Sequence, residues 1–262
     1  MTPANELLTL SAASPEQWAQ WCVLHGAWLL AAANALTLIV VYYGWRVARV
    51  ESRTRVVMLI VIPVLALTLF IWLAQMHIIA TVMTRFDFAL AAELRNTLRL
   101  DVLKVWVAIT HLGDGFTRAV MGVAMAVVLF RRRSPWCGAW ICAVAGIGLL
   151  NHGLKIIFER ERPLRIHDLI VETSWSFPSG HASGAVVTYG MLAWVLCQLL
   201  PRATHLPLVL CAAAIALNVG LSRVLLQVHY CSDVLAGFAI GAVWLTLCIA
   251  WALTLDRRKK AE

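Results

Sequence analysis

A chain of 262 residues that is 61% hydrophobic and only 14% charged, with a mean hydropathy of +0.79, is too apolar for a water-soluble domain and reads as a membrane protein. Its formal net charge of +8 would suit nucleic acid, but the Lys and Arg residues cluster between apolar runs, which argues against that partner. Cys22, Cys137, Cys142, Cys197, Cys211, Cys231 and Cys248 lack metal-ligand spacing and read as small residues within or at the ends of the apolar runs.

A hydrocarbon core about 30 Å thick needs roughly 20 apolar residues per helix, and seven candidate spans can be traced. The first 21 residues carry Glu6 and Glu16 but no Lys or Arg, unlike a signal peptide's start or a cytoplasmic flank. Spans over 24–45 and 57–83 follow, separated by the basic stretch RVARVESRTR at 46–55. Residues 84–112 form an external interfacial segment. Within it, Leu90, Leu94, Leu98 and Val102 recur at four-residue spacing beside Glu93, Arg95, Arg99 and Lys104, predicting an amphipathic helix. It either anchors the chain or admits an anionic headgroup. A short third span over 115–130 needs its flanks to cross. Beyond Arg131, Arg132 and Arg133 come spans at 137–158, 182–200, 206–223 and 233–255, then the tail DRRKK at 256–260. The basic segments, Arg202 included, alternate along the chain, so the positive-inside rule places them and the C-terminus in the cytoplasm, with the N-terminus outside. Trp21, Trp45, Trp72, Trp136 and Trp175 lie near span ends, at headgroup level or simply packed. No repeat or polar linker divides the chain, so 1–262 reads as a single membrane domain whose 137–255 region is a four-helix core.

Chemistry gathers on the external side. Lys155 stands inside an apolar helix, where a charge is costly unless it meets a partner or a polar cavity. In KIIFERERP (155–163), Lys155 and Arg162 are seven residues apart and share a face if the helix persists, until Pro163 ends it. SFPSGHASG at 176–184 stands before the fifth span, where Gly180 permits close backbone approach and a helix N-terminus turns free amides toward an anion. In SRVLLQVHYCSD (222–233), His229 and Asp233 have the four-residue spacing at which helical side chains meet. Three cations (Lys155, Arg162, Arg223) and two imidazoles (His181, His229) at one face describe a phosphate site with acid–base and nucleophilic capability. His25, His77, His111 and His152 read as structural. Arg118 either lines the pocket or pairs with Asp114 four residues back, and Arg160, Arg165, His167 and Asp168 either contact a headgroup or form a solvated loop.

The pattern Lys155-x6-Arg162-Pro163, Pro178-Ser179-Gly180-His181 and Ser222-Arg223-x5-His229-x3-Asp233 resembles the type 2 phosphatidic acid phosphatase (PAP2) superfamily, and every signature position is filled. The superfamily holds bacterial membrane phosphatases for phosphatidylglycerophosphate, undecaprenyl diphosphate and lipid A, soluble acid phosphatases and vanadium haloperoxidases. The resemblance implies an all-α transmembrane bundle of six to seven spans with a haloperoxidase-like core. Family membrane members commonly have six spans, and 24–45 is the additional one. It makes His229 the nucleophile that forms a phosphohistidine, Asp233 its orienting partner, and His181 the general acid and later base. Lys155, Arg162, Arg223, Ser179 and the Gly180 amide would bind phosphate, with no metal or cofactor implied. The expected function is hydrolysis of a lipid phosphate or diphosphate at the outer face of a bacterial inner membrane, the bilayer and its lipid phosphate being the partners. Phosphotransfer to a lipid hydroxyl and anion transport are the alternatives; the sequence leaves the headgroup and the oligomeric state open.

Overall fold

The computed structural model describes residues 13–50, 52–78, 81–165 and 169–261; Glu6, His167 and Asp168 lie outside the described residues. Among the described residues ten α-helices follow one another: α1 (Pro15–Leu24), α2 (Gly26–Val50), α3 (Ser52–Ile78), α4 (Val82–Thr97), α5 (Leu100–Thr110), α6 (Gly115–Arg131), α7 (Cys137–Phe158), α8 (Gly180–Leu199), α9 (His205–Leu225) and α10 (Cys231–Ala261). No strand occurs among the described residues.

Among the described residues seven segments are long and apolar enough to cross a membrane: Gly26–Arg46, Val57–Ile78, Leu100–Arg131, Cys137–Phe158, Gly180–Leu199, Arg202–Leu225 and Cys231–Arg258. The chain is an integral-membrane helical bundle. Residues 100–110, read from sequence with the interfacial segment, form α5, which joins α6 through a 3-10 turn at His111–Gly113. The four-residue apolar register also breaks there. α4 ends at Thr97, so Leu90 and Leu94 are buried against Ala19 of α1 while Val102 is 42% exposed. α1 is built to dock on α4: a capping box between Ser14 and Gln17, with Pro15 at the first turn, satisfies its N-terminal amides. Gln20–Glu93 (3.2 Å) and Arg85–Glu16 (2.9 Å) flank the contact.

α8 is the central helix, packed on α7, α9 and α10. Its approach to α10 requires glycine, since a Cβ at Gly237 would stand 2.6 Å from the Ser179 carbonyl oxygen and one at Gly241 2.9 Å from that of Ser183. Small residues bring helix backbones close in a bilayer, where hydrophobic burial cannot drive helix association. This approach lets the Ser179 amide donate to the Asp233 carbonyl at 3.0 Å, tying the start of α8 to the start of α10. Trp140, fully buried in the neighbouring core, satisfies its indole N–H on the Gly122 carbonyl at 2.8 Å. The additional N-terminal span, α2, docks on α9, where Asn218 Nδ2 donates to Asn34 Oδ1 at 2.7 Å.

Candidate active site

The end of α7, the starts of α8 and α10 and the end of α9 meet at one end of the bundle, and the described residues between α7 and α8, 159–165 and 169–179, are irregular. α7 stops at Phe158 because Glu159 takes a left-handed conformation (φ 41°, ψ 38°) that a non-glycine residue adopts at a cost. The expected continuous helical face from Lys155 to Arg162 therefore does not form. The turn at Glu159 carries Arg162 back over the bundle, where its Nη1 lies 3.3 Å from His229 Nε2 and donates to the Val228 carbonyl at 2.6 Å.

His229 is 2% exposed. Its Nδ1 lies 3.3 Å from Ser176 Oγ and 3.5 Å from Asp233 Oδ2, while the Ser176 hydroxyl gives its only proton to Asp233 Oδ2 at 2.5 Å. Ser176 Oγ can then only accept from Nδ1–H, and Arg162, which can only donate, faces Nε2. Both sides assign the same tautomer, with the lone pair on Nε2. Burial above all, outweighing the Asp233 hydrogen bond, holds His229 well below the ordinary histidine value, so the ring is neutral. The Tyr230 amide donates to Asp233 Oδ2 at 2.9 Å.

Arg160, read as a headgroup contact or part of a solvated loop, is not solvated: it is 5% exposed and bonds Asp233, the carboxylate beside His229. Its Nη1 donates to Asp233 Oδ1 (2.5 Å) and Ser232 Oγ (2.8 Å), its Nη2 to Asp87 Oδ2 (2.9 Å), and its guanidinium stands 4.3 Å from the Tyr230 ring centroid. Asp87, 1% exposed on α4, also accepts from the Ser232 amide (3.1 Å) and hydroxyl. Burial pulls the Arg160 guanidinium down, but Asp233 and Asp87 more than compensate and raise it above its ordinary value. Burial leaves the Asp87 carboxyl raised.

The cations converge on the segment 172–175. Lys155 Nζ donates to Ser174 Oγ (2.9 Å) and the Trp175 carbonyl (2.5 Å), and Arg162 Nε to the Ser174 carbonyl (2.7 Å). Arg223, with no exposed surface, donates through Nη1 to Thr110 Oγ1 at 2.8 Å and through Nη2 to Glu172 Oε1, while its buried Nε has no hydrogen-bond partner. Glu172 Oε2 is also 3.5 Å from Arg162 Nη2, and Oε1 is 3.9 Å from His181 Nδ1. Burial pushes this carboxyl up, but Arg223 and Arg162 prevail and hold it below the usual carboxylate range.

His181, in the first turn of α8, turns Nδ1 toward Glu172 and bonds Nε2 to Asp114 Oδ1 at 2.8 Å. The other Asp114 oxygen is 2.6 Å from Nδ1 of the exposed His111, a histidine read from sequence as structural. Asp114 thus pairs with two imidazoles, and the Arg118 contact expected from their four-residue spacing gives way to Arg118 Nε donating to the Gly113 carbonyl at 3.0 Å. Ser179, fully buried, caps α8 by accepting from the Ala182 amide at 3.4 Å. The neighbour a Cβ at Gly180 would meet is Asn151 Oδ1, at 3.0 Å.

Lys155, Arg162, His181, Arg223, His229 and Asp233 are thus gathered at one end of the bundle. Sequence reasoning missed Glu172, Ser176, Asp87 and the histidine contacts of Asp114. For Glu172 the faint signal was an acid in the arginine-bearing stretch 159–175, for Ser176 a serine directly before FPSGH, and for Asp114 the LGDG beside a span, while Asp87 gave none. A cleft of about 520 Å³ opens beside the cations between α4 and the 159–164 segment, lined by Phe88, Arg95, Arg162, Leu164 and Tyr230. Arg165 Nη1 turns from it to the Ile170 carbonyl.

Residues 135–257 match the family profile described as PAP2 superfamily. Over 141 residues the chain is 40% identical to phosphatidylglycerophosphatase B of Bacillus subtilis, covering 53% of this chain and 69% of that protein. It is 31% identical over 131 residues to the decaprenylphosphoryl-5-phosphoribose phosphatase of Mycobacterium tuberculosis (47% and 64% covered). It is 34% identical over 125 residues to the lipid A 1-phosphatase of Rhizobium johnstonii (44% and 47%). It thus spans less than two thirds of those last two relatives. The crystal structure of a transmembrane PAP2-type phosphatidylglycerolphosphate phosphatase from Bacillus subtilis superposes with a TM-score of 0.64 at 32% identity, covering 72% of this chain and 95% of that one.

Proposed function

Because this chain belongs to the PAP2 superfamily, we propose that it is a metal-independent lipid phosphatase that removes the terminal phosphate of a lipid monoester or diphosphate through a phosphohistidine on His229. The observation that carries this reading is the His229 tautomer: the unprotonated Nε2 points to the cations, and Nδ1–H is held by Ser176 and Asp233.

The Nε2 lone pair forms a bond to phosphorus while the bond from phosphorus to the lipid oxygen breaks, and that oxygen takes a proton from Nδ1 of His181. Asp233 offsets the positive charge that develops on His229. Water then attacks the phosphorus, giving its proton to His181, and the N–P bond breaks to release inorganic phosphate. Lys155, Arg162 and Arg223 stabilise the charge on the phosphoryl oxygens, and the unpartnered Nε of Arg223 gains an acceptor. Ser179 and the Gly180 amide, at the N-terminus of α8, add dipolar support.

A lipid substrate follows from the surroundings: membrane-length helices carry the site at their ends, so acyl or prenyl chains stay in hydrocarbon while the headgroup reaches the cations through the cleft under α4. Relatives named for phosphatidylglycerophosphate, a decaprenylphosphoryl sugar phosphate and lipid A support a substrate of this class. We infer that the site faces the outer side of a bacterial inner membrane with the C-terminus in the cytoplasm, a reading that the basic ends of the other connections support. The test is phosphate release by detergent-purified protein, with EDTA, from phosphatidylglycerophosphate, phosphatidic acid, undecaprenyl diphosphate and a water-soluble monoester. Release that survives EDTA and vanishes in His229→Ala supports the mechanism; release lost to EDTA, or kept by the variant, overturns it.

A further inference from the structure

The cation cluster already holds an anion. The Glu172 carboxylate bonds Arg223 Nη2 and lies 3.5 Å from Arg162 Nη2 and 3.9 Å from His181 Nδ1, so it stands against two of the cations that would receive phosphoryl oxygens and beside the imidazole that would serve the leaving oxygen. The rest of its segment completes the closure. Ser174 Oγ and the Trp175 carbonyl take the donors of both Lys155 and Arg162. Glu172 comes from the irregular chain between α7 and α8 and its side chain is 21% exposed, so it can leave without unfolding a helix. The Arg223 side chain beneath it is fully buried.

We propose that Glu172 is a resident competitor for the phosphate site: every headgroup must displace it, and it thereby sets the charge a lipid must carry to bind. This rests on the reading that the cations receive phosphate. The physical case is an exchange. The bilayer is crowded with phosphodiester headgroups, each with one negative charge on its phosphate, the same as the carboxylate they would replace. A terminal monoester or diphosphate phosphate brings about two, and its extra charge is matched by Lys155, Arg162 and Arg223. Because the site is open only when Glu172 is out, the apparent affinity of any anion is lowered by one common factor, the open fraction. Weakly held diesters thereby fall below useful occupancy, while a dianion still binds.

The experiment compares wild type with Glu172→Gln and Glu172→Ala, using phosphatidic acid as substrate in mixed micelles. Inhibition constants are measured for phosphatidylglycerol, a diester, and for inorganic phosphate, whose binding is also read by titration calorimetry without turnover. The expected result is a gain: both constants and the calorimetric Kd fall by the same factor, about tenfold or more, and phosphatidylglycerol becomes an effective inhibitor. A loss or no change in affinity overturns the proposal and leaves Glu172 as a brace for the two guanidiniums. Unequal factors also overturn it, because displacement of one competitor acts alike on every ligand. Both variants must gain affinity, which damage to the fold would not produce. Failure of wild type to hydrolyse any lipid phosphate would instead strike the proposed function, and the calorimetric comparison would still decide the role of Glu172.

Discussion

Replacing Arg160 with Met keeps the length of the stem and removes the charge that two buried carboxylates share. Asp233 and Asp87 are 0% and 1% exposed, and Arg160 reaches them at 2.5 and 2.9 Å. Breaking a buried ion pair by removing one partner costs about 3–5 kcal/mol, because the remaining charge is left without compensation. For a chain of this size that lowers Tm by on the order of 10 °C. The pH dependence identifies the cause. Burial already raises the Asp87 carboxyl, so the folded state takes up its proton at higher pH than the unfolded chain, and the cost of keeping it ionised is felt above that folded value. Without Arg160 the rise is larger. The stability deficit of Arg160→Met should therefore be greatest near about pH 8 and shrink toward about pH 5 as the carboxyl protonates. Thermal unfolding in detergent across that range, beside Asp87→Asn/Arg160→Met, is the assay. The double variant should recover part of the loss, since one of the stranded charges is gone. A Tm within about 2 °C of wild type at every pH, or a deficit that grows on acidification, would refute the reasoning.

Asp114→Asn keeps the shape of the His181 contact but removes its charge, so kcat should fall roughly 10–100-fold with KM little changed, read by steady-state phosphate release. His229 reacts as the free base and its proton affinity is lowered by burial, so the acid limb of kcat/KM should lie below the ordinary histidine value, after correction for the substrate's own ionisation. The same shift makes the folded state lose stability as pH falls below about 6.5, where the unfolded chain takes up a proton that buried His229 refuses; His229→Gln should flatten that slope. Gly237→Ala would set a Cβ 2.6 Å from the Ser179 carbonyl oxygen, so it should cost about 1–3 kcal/mol and reduce kcat by parting the starts of α8 and α10, read by thermal unfolding and phosphate release.

How far the site could be read in advance varied residue by residue. Lys155, His181, Arg223, His229 and Asp233 gather because they stand at helix ends that alternate in direction, and span parity is visible in the hydropathy of a single chain. The Asp233–His229 pairing is local, four residues apart, and so legible too. Arg162 was legible as a cation at that end but not in its contact, because a left-handed residue at Glu159 ends α7 early and a loop, not a helix, delivers it to His229. Arg160 was left between a headgroup contact and a solvated loop because its partners are 73 residues away, on α4 and α10. Arg118 and Asp114 had helical spacing, yet histidines take the carboxylate.

By itself the sequence determined what the covalent chain and the bilayer impose: seven apolar segments, the alternation of their charged connections, and three motifs at the ends of the last four. These follow from hydropathy and spacing, which need no knowledge of what packs on what. Tertiary structure alone decided which tautomer His229 holds, which acid stands among the clustered cations, and that α4 is tied to the carboxylate beside His229 through Asp87 and Arg160. Each of those is a contact between residues distant in the chain, in a setting where a buried charge or ring nitrogen must find a partner, and the partner is chosen by proximity in the folded bundle.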